Sequence, residues 1–310
     1  MSKYLSLVLS AAFAIVLISF YGCSNSGSSS DARVLKFNLQ KGKGYDFEII
    51  MDLDQEVMQQ KSKIGFTAAY AITVTDDDGQ LKSLTAEYKD FKMKMNMMGQ
   101  EINIDGAKKP VQLGSSDQQN DPSAMLANAF SGIVGKKFNL KVNSMGEIVG
   151  VAGFEELINE MIAGMNLTDE KKLMVQASLK DQFNAEKIKE SFAPMFNIYP
   201  GREIKLGDSW ERTYELKAGV GAKYTTQYTV KSFDGDKVFL DTKSKIDPIA
   251  DTSANSFGGM QMSGTQSGTM TVNSVSGLVL DAELVQNLET SGDLKMKMVG
   301  KTKMKGREMN

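Results

Sequence analysis

Hydrophobic and polar residues alternate with period two along much of this chain. Phe66, Ala68, Tyr70, Ile72 and Val74 share one parity, as do Ala222, Tyr224, Thr226, Tyr228 and Val230 in a second run. Alternation of this kind, rich in Thr, Tyr, Val and Ile, predicts half-buried β-strands. Asp78-Gly79 and Asp234-Gly235 follow these runs and predict tight hairpin turns, because glycine accepts a positive φ at little cost. Hairpins of this local kind imply antiparallel sheet with one wet face. The runs Phe91-Lys92-Met93-Lys94-Met95-Asn96-Met97-Met98 and Leu294-Lys295-Met296-Lys297-Met298 continue the pattern, with methionine on one parity and lysine on the other.

Between the two groups of strands the period changes. Phe154, Leu157, Ile158, Met161, Ile162 and Met165 fall on one helical stripe. Thr168 can cap a following helix, with Asp169 and Glu170 in its first turn against the positive dipole end. Asn184 can cap another that carries Ile188, Phe192, Met195 and Phe196, with Pro194 near its end and Pro200-Gly201 marking the return to sheet. A shorter helix is expected from Asp121-Pro122, carrying Met125, Leu126, Ala129 and Phe130. Helices with apolar stripes must cover something, and the sheet faces are the surfaces on offer.

The chain also repeats itself. GYDFEIIMDL at 44–53 aligns with GDSWERTYEL at 207–216, which matches Gly44 with Gly207 and Phe47 with Trp210. IGFTAAYAITVTDDDG at 64–79 aligns with VGAKYTTQYTVKSFDG at 220–235 and keeps the alternation in phase. Conserved phase matters, since a one-residue slip turns every side chain to the opposite face. Leu140-Lys141-Val142-Asn143-Ser144 and Met270-Thr271-Val272-Asn273-Ser274 form a third pair, each followed by a glycine, Gly146 or Gly277. The three blocks keep their order. The expected architecture is a β-rich α+β fold: antiparallel sheet from two duplicated halves, curved or half-barrel-like, with helices inserted between them.

The N-terminus stands apart. Lys3 precedes an apolar run from Leu5 to Phe20, then Gly22-Cys23 and the polar stretch Ser24 to Ser30. This arrangement resembles a bacterial lipoprotein signal, in which residues 1–22 are removed and Cys23, the only cysteine, carries the lipid. A membrane-spanning anchor and an ordinary secretory signal are the alternatives. The organisation read from these features is a signal peptide at 1–22 and a Ser/Gly-rich tether at 23–31. A first β-rich half at 32–150, a helical insert at 151–199 and a second β-rich half at 200–310 follow. Residues after Cys23 lack an obvious acidic export tag, so the expected location is the outer membrane, facing the periplasm.

Composition removes most chemistry. Without residues 1–22 the chain has a net charge of −3, so neither nucleic acid nor an anionic surface is an electrostatically favoured partner. There is no histidine, which excludes Ser-His-Asp and Cys-His nucleophile systems and ordinary His/Cys zinc sites. No phosphate-cradling loop or dinucleotide fingerprint is present. Glu155, Glu156 and Glu160 lie opposite an apolar stripe and read as a solvated helix face rather than a catalytic pair. Asp76-Asp77-Asp78-Gly79 reads as an acidic hairpin turn, since it lacks the later glutamate of a calcium loop. Trp210 reads as a core anchor. No cofactor and no enzymatic activity are expected.

Methionine is the unusual count, 20 in 310 residues. Met93, Met95, Met97, Met296 and Met298 are the candidate lining of an adaptable apolar cavity, because thioethers repack around different ligands. Met93, Met95, Met260 and Met262 are the candidates for a Cu(I) site, since thioethers also select soft metals. A methionine core face backed by solvated lysines is the plainer account.

The lipoprotein start, the Pro-Gly-x5-Gly-Asp-Ser-Trp run at 200–210 and the Val-Asn-Ser-x-x-Gly run at 272–277 together resemble a family of uncharacterised Bacteroidota lipoproteins. That family carries no activity across. A curved antiparallel sheet covered by helices also resembles periplasmic half-barrel carriers of lipoproteins and lipids. The combined expectation is a lipid-anchored envelope protein that binds an apolar molecule such as a lipid between sheet and helices. A structural or assembly partner of envelope proteins is the alternative, and Met-based Cu(I) binding the third.

Overall fold

The computed structural model describes residues 32–57, 60–97, 100–109, 128, 130–163, 168–182, 184–217, 221–249, 261–292 and 295–309. Residues from Ala32 onward form one compact unit. Seven strands come first: β1 (Arg33–Val34), β2 (Gly44–Val57), β3 (Gln60–Asp77), β4 (Leu81–Met97), β5 (Gln100–Asp105), β6 (Lys137–Asn143) and β7 (Ile148–Ala152). Three helices follow, α1 (Phe154–Ala163), α2 (Asp169–Gln182) and α3 (Ala185–Phe196). The chain then returns to sheet in β8 (Glu203–Ile204), β9 (Ser209–Leu216), β10 (Ala222–Asp234), β11 (Lys237–Pro248), β12 (Gln261–Asn273), β13 (Val279–Ser291) and β14 (Met296–Glu308).

Twelve of these strands make a single antiparallel sheet in the order β7-β6-β4-β3-β2-β14-β13-β12-β11-β10-β9, with β5 paired to the far end of β4. Strands β1 and β8 pair separately. Read from the β9 edge, the second half runs β9 to β14 and the first half continues β2, β3, β4, β6, β7, so the halves stand in tandem. The last long strand, β14, joins them by pairing with β2 along its whole length. The sheet is not closed into a barrel, for β7 and β9 are not hydrogen-bonded to each other. Helix α3 packs against both of these edge strands, so the sheet curls until its two ends share one helix.

Strand pairing tests the repeat. Thr73 lies opposite Gly44, and Thr229 lies opposite Ser209. Leu84 sits between Val74 and Leu140 as Leu240 sits between Val230 and Met270. The second and third blocks therefore correspond strand for strand. The first block does not: Gly44 answers to Ser209 rather than Gly207, and the counterpart of Trp210 is Tyr45 rather than Phe47. The slip is two residues, because the first hairpin of each half has a different length. An even slip preserves which side chains point inward. Both aromatics are buried and tied by their polar tips: Tyr45 Oη accepts from Gln40 N–H at 2.9 Å, and Trp210 Nε1 donates to the Ile198 carbonyl at 2.7 Å.

The third block shows why its residue types recur. Asn143 Oδ1 accepts from the backbone N–H groups of Met145 and Glu147, and Asn273 Oδ1 from those of Val275 and Ser276. Gly146 and Gly277 then take φ of +78° and +74°. A Cβ at Gly146 would lie 1.6 Å from the Phe196 carbonyl oxygen, and one at Gly277 would lie 2.1 Å from that of Lys36. Only glycine tolerates both the angle and the approach.

The helices fall where the apolar stripes placed them. Phe154, Leu157, Ile158, Met161 and Ile162 are the buried face of α1, while Glu155, Glu156 and Glu160 are exposed. Helix α2 starts directly after Thr168, and Asn184 caps α3 by accepting from Lys187 N–H at 3.1 Å. Phe192 and Phe196 of α3 enter an aromatic cluster with Phe37, Phe47, Tyr70 and Phe138, at ring separations of 5.1 to 5.9 Å. Of the expected helix from Asp121, most lies outside the described residues, though Phe130 is buried and stacks on Phe91 at 5.1 Å.

Candidate ligand-binding face

The two faces of the sheet differ in kind. On the outer face β14 presents Lys297, Lys301, Lys305 and Arg307, directly opposite Glu56, Asp52, Glu48 and Asp46 of β2. Stripes of opposite charge on adjacent strands make a solvated surface, the reverse of the apolar band a lipid-facing barrel wall presents. A groove of about 690 Å³ opens beside Gly65, lined by Asp52, Lys94 and Lys301 among others. Val285 and Val299 are exposed on this face, and most of the apolar residues turn the other way.

On this inner face, directly paired residues form rows that run from β9 to β5. One row runs from Trp210 through Tyr228, Thr242, Gly268, Leu284 and Thr302, and continues as Met51, Phe66, Met93 and Ile104. The next runs from Arg212 through Thr226, Ser244, Gln266 and Gln286 to Gly300, and continues as Leu53, Ile64, Met95 and Ile102. Toward the helices the inner face is sealed. Away from them, Met51, Leu53, Ile64, Phe66, Met93 and Met95 are only half-buried, and form a trough of apolar side chains on β2, β3 and β4.

The candidate methionines are distributed over this face. Met93 and Met95 point inward and pack on the main core, with Lys92 and Lys94 outward and exposed. Met298 is buried in a second apolar cluster with Ala222, Tyr224, Ile246 and Leu288, against which Met262 packs. Met296 is half-buried on the same strand. The side chain of Met97 and the whole of Met260 lie outside the described residues, as does Cys23. Strands β4 and β12, which carry Met93, Met95 and Met262, are separated in the sheet by β3, β2, β14 and β13. The acidic turn is fully engaged: Asp76 pairs with Lys41 at 2.6 Å, Asp77 pairs with Lys82, and Asp78 Oδ1 accepts from Gln80 and Leu81 N–H.

Sequence reasoning missed the polar row. Thr226 and Ser244 are 4% and 5% exposed, with hydroxyl oxygens 2.8 Å apart. Ser244 donates to Gln266 Oε1 at 3.5 Å, and Gln266 Nε2 donates to Gln286 Oε1 at 3.4 Å. The signal was present in the chain as inward-parity Thr, Ser and Gln, but alternation alone does not say that successive strands align them. At the β9 edge, Arg212 Nε donates to Asn197 Oδ1 at 2.8 Å, and its Nη2 pairs with Glu147 Oε1 at 3.0 Å. Glu147 follows β6, so this ion pair links the two ends of the sheet beside α3. The Asn143 amide, then the guanidinium, hold the Glu147 carboxyl below its usual range.

Comparison with known proteins places the chain. It belongs to DUF6263, a family of unknown function, whose match spans residues 79–279. No curated protein matches it. Among solved structures it is similar to lipovitellin, described for its lipid–protein interactions, at 10% identity and a TM-score of 0.43, over 87% of this chain and 25% of that one. It also aligns with OccK5 (OpdH) of Pseudomonas aeruginosa at 6% identity and a TM-score of 0.23, covering 88% of this chain and 99% of that one. OccK2 (OpdF) of the same organism aligns at 7% identity and a TM-score of 0.21, over 89% and 100%.

Proposed function

We propose that this protein is a non-catalytic envelope lipoprotein, anchored through Cys23, which holds an apolar ligand such as a lipid acyl chain on the inner face of its sheet. The observation that carries this reading is the trough. Six large apolar side chains on adjacent strands stay half-buried, while the aromatic cluster on the same face under the helices is buried. Apolar area left in reach of water on a concave surface is the usual mark of a binding site. Methionines in the trough suit ligands of variable shape, since an unbranched thioether repacks at little cost. The Ser/Gly tether would let the body reach ligand in a membrane and stay attached, with the outer membrane's periplasmic leaflet as its place of work.

The test is native mass spectrometry on the chain from Ala32, which is a compact unit in itself, followed by organic extraction. A recurring adduct of lipid mass, lost on Met95→Lys, is the expected result. A clean apo mass that stays unchanged after incubation with lipid vesicles would refute the trough. Radiolabelled palmitate incorporated into the full chain, and lost in Cys23→Ser, tests the anchor separately.

A further inference from the structure

Four segments far apart in sequence meet where the chain enters the compact body. Strand β1 pairs with β8, Arg33 opposite Ile204 and Val34 opposite Glu203. Arg33 Nη1 donates to the Gly235 carbonyl in the β10–β11 turn, and its guanidinium lies 4.5 Å from the centre of the Phe233 ring. In the neighbouring β12–β13 turn Ser274 N–H donates to the Asp236 carbonyl at 2.7 Å, and Asn38 Nδ2 donates to that of Val275 at 3.0 Å. Leu206 follows β8 and precedes Gly207, whose N–H donates to the Val230 carbonyl at 3.0 Å. On this pinned framework three apolar side chains point into solvent: Val34, Val275 and Leu206 are 49%, 52% and 68% exposed. Single exposed apolar residues are ordinary, but three gathered from separate segments mark an interaction surface. Around them Lys36, Lys205 and Lys237 are exposed against Glu203, Asp234 and Asp236, so the local charge nearly balances. Residues 23–31, which join Cys23 to this place, span at most about 30 Å when fully extended.

We propose that Val34, Leu206 and Val275 form a docking surface for the lipid bilayer that holds Cys23, their tips entering the layer between headgroups and acyl chains. The assignment rests on the anchor reading above and adds a second, non-covalent contact between body and membrane. The occupant follows from where the tether ends: a bilayer holding Cys23 is never more than that short span from these side chains. Three apolar tips bind a bilayer weakly by themselves. The tether offsets this by raising their effective concentration at the surface. With cations and acids nearly matched, attraction to anionic lipid contributes little, so an uncharged bilayer should serve equally well. Docked in this way, the body holds its trough away from the membrane, because Met93 and Met95 lie toward the opposite end of β4 from Leu81 and the turns. Loading from that membrane then requires the body to lift on its tether.

The test attaches the chain from Ala32, through an N-terminal histidine tag, to phosphatidylcholine vesicles that carry a nickel-chelating lipid. This chain contains no cysteine, so Val34→Cys, Leu206→Cys, Val275→Cys and Val299→Cys each place a single nitrobenzoxadiazole probe. Val299 is the control: it is 46% exposed, much as Val34 is, but lies midway along β14 on the outer face of the sheet. On attachment the three docking positions should shift their emission to the blue and be quenched by a nitroxide lipid, while position 299 shows neither change. Leu206→Asp combined with Val275→Asp, both at exposed sites where folding is spared, should abolish the response at position 34. No response at any position would overturn the bilayer as occupant and leave the three tips to a protein partner. Equal quenching at position 299 would also overturn the proposal, since the body would then lie on its outer sheet face. So would a response at position 34 that survives the double substitution. The vesicle supplies the anchor, so failure here leaves lipidation of Cys23 standing, and the palmitate experiment tests that reading alone.

Discussion

The inner face of one sheet is built twice, once under the helices and once away from them, and the two ends obey different rules. Near α3 the residues are large and interlocked: the rings of Phe37, Phe47, Tyr70, Phe138, Phe192 and Phe196 meet edge to face, tilted or stacked, and all are buried. At the other end Met51, Phe66, Met93 and Met95 have the same parity and the same neighbours along the strands, yet remain half-buried. Strand alternation thus decides which face a residue joins, and the covering layer decides whether that face becomes core. Stability should concentrate under the helices and ligand exchange at the other end.

The largest test of this division compares two phenylalanines. Phe196→Ala removes a ring that contacts Phe37, Phe47 and Phe192 with almost no exposure, and should cost about 3–5 kcal/mol. Phe66→Ala, in the trough, should cost less than about half of that, because its ring already meets water on one side. Urea unfolding of both variants measures the difference, and equal losses would mean that the two ends form one core. Gly277→Ala should come next, at about 2–3 kcal/mol, since the new Cβ meets the Lys36 carbonyl and forces a positive φ on alanine. The same change at Gly42, also at positive φ but in open space, should cost about 1 kcal/mol, so that their gap isolates the close approach.

Most of this division could be read from the chain in part only. Alternation placed Phe66, Tyr70 and Ile72 on one face, and helical periodicity found α1 and α3 down to the Asn184 cap, because both signals are local. The two Asn-Ser turns, each closed by a glycine, were legible for the same reason, since their hydrogen bonds close within a few residues. What escaped was non-local. Nothing in the spacing of Thr226, Ser244, Gln266 and Gln286 shows that they stand side by side, because that depends on the registers of four hairpins at once. The pairing of Trp210 with Phe47 failed on the same ground: matching letters took the place of register, and a hairpin of different length moved the true counterpart to Tyr45.

Titration offers a smaller test. Burial raises the phenol of Tyr199 well above its ordinary value, and pushes those of Tyr70 and Tyr224 to about 12. A group whose pKa is raised by folding lends stability below its unfolded value, near 10, and that stability is lost as the pH climbs through the folded value. With no histidine in the chain, unfolding midpoints should be level between about pH 6 and 9 and fall above about 10. Tyr199→Phe should soften the alkaline fall while costing about 1–2 kcal/mol at neutral pH, because the Gly277 carbonyl loses its 2.7 Å hydrogen bond.

The smallest effect concerns the link across the sheet's two ends. Glu147 and Arg212 pair beside α3, and the Glu147 carboxyl is held below its usual value by Asn143 and then Arg212. A lowered acid contributes stability above its unfolded pKa, near 4.3, and that contribution vanishes as the pH falls through the folded value. The Glu147 side chain is 52% exposed, so solvent screens the pair and Glu147→Gln should cost less than about 1 kcal/mol at neutral pH. The substitution should also flatten part of the acid limb of a melting curve series from pH 6 to 3, and lose its effect in high salt. If it instead opened the sealed end, hydrogen exchange would speed up in β7 and β9 together. The two ends of the sheet would then be held by this ion pair rather than by the apolar face of α3, and the contrast between sealed core and open trough would rest on one surface contact. The burial of Phe192 and Phe196 argues for the helix, whose apolar face meets both edges without help from charge.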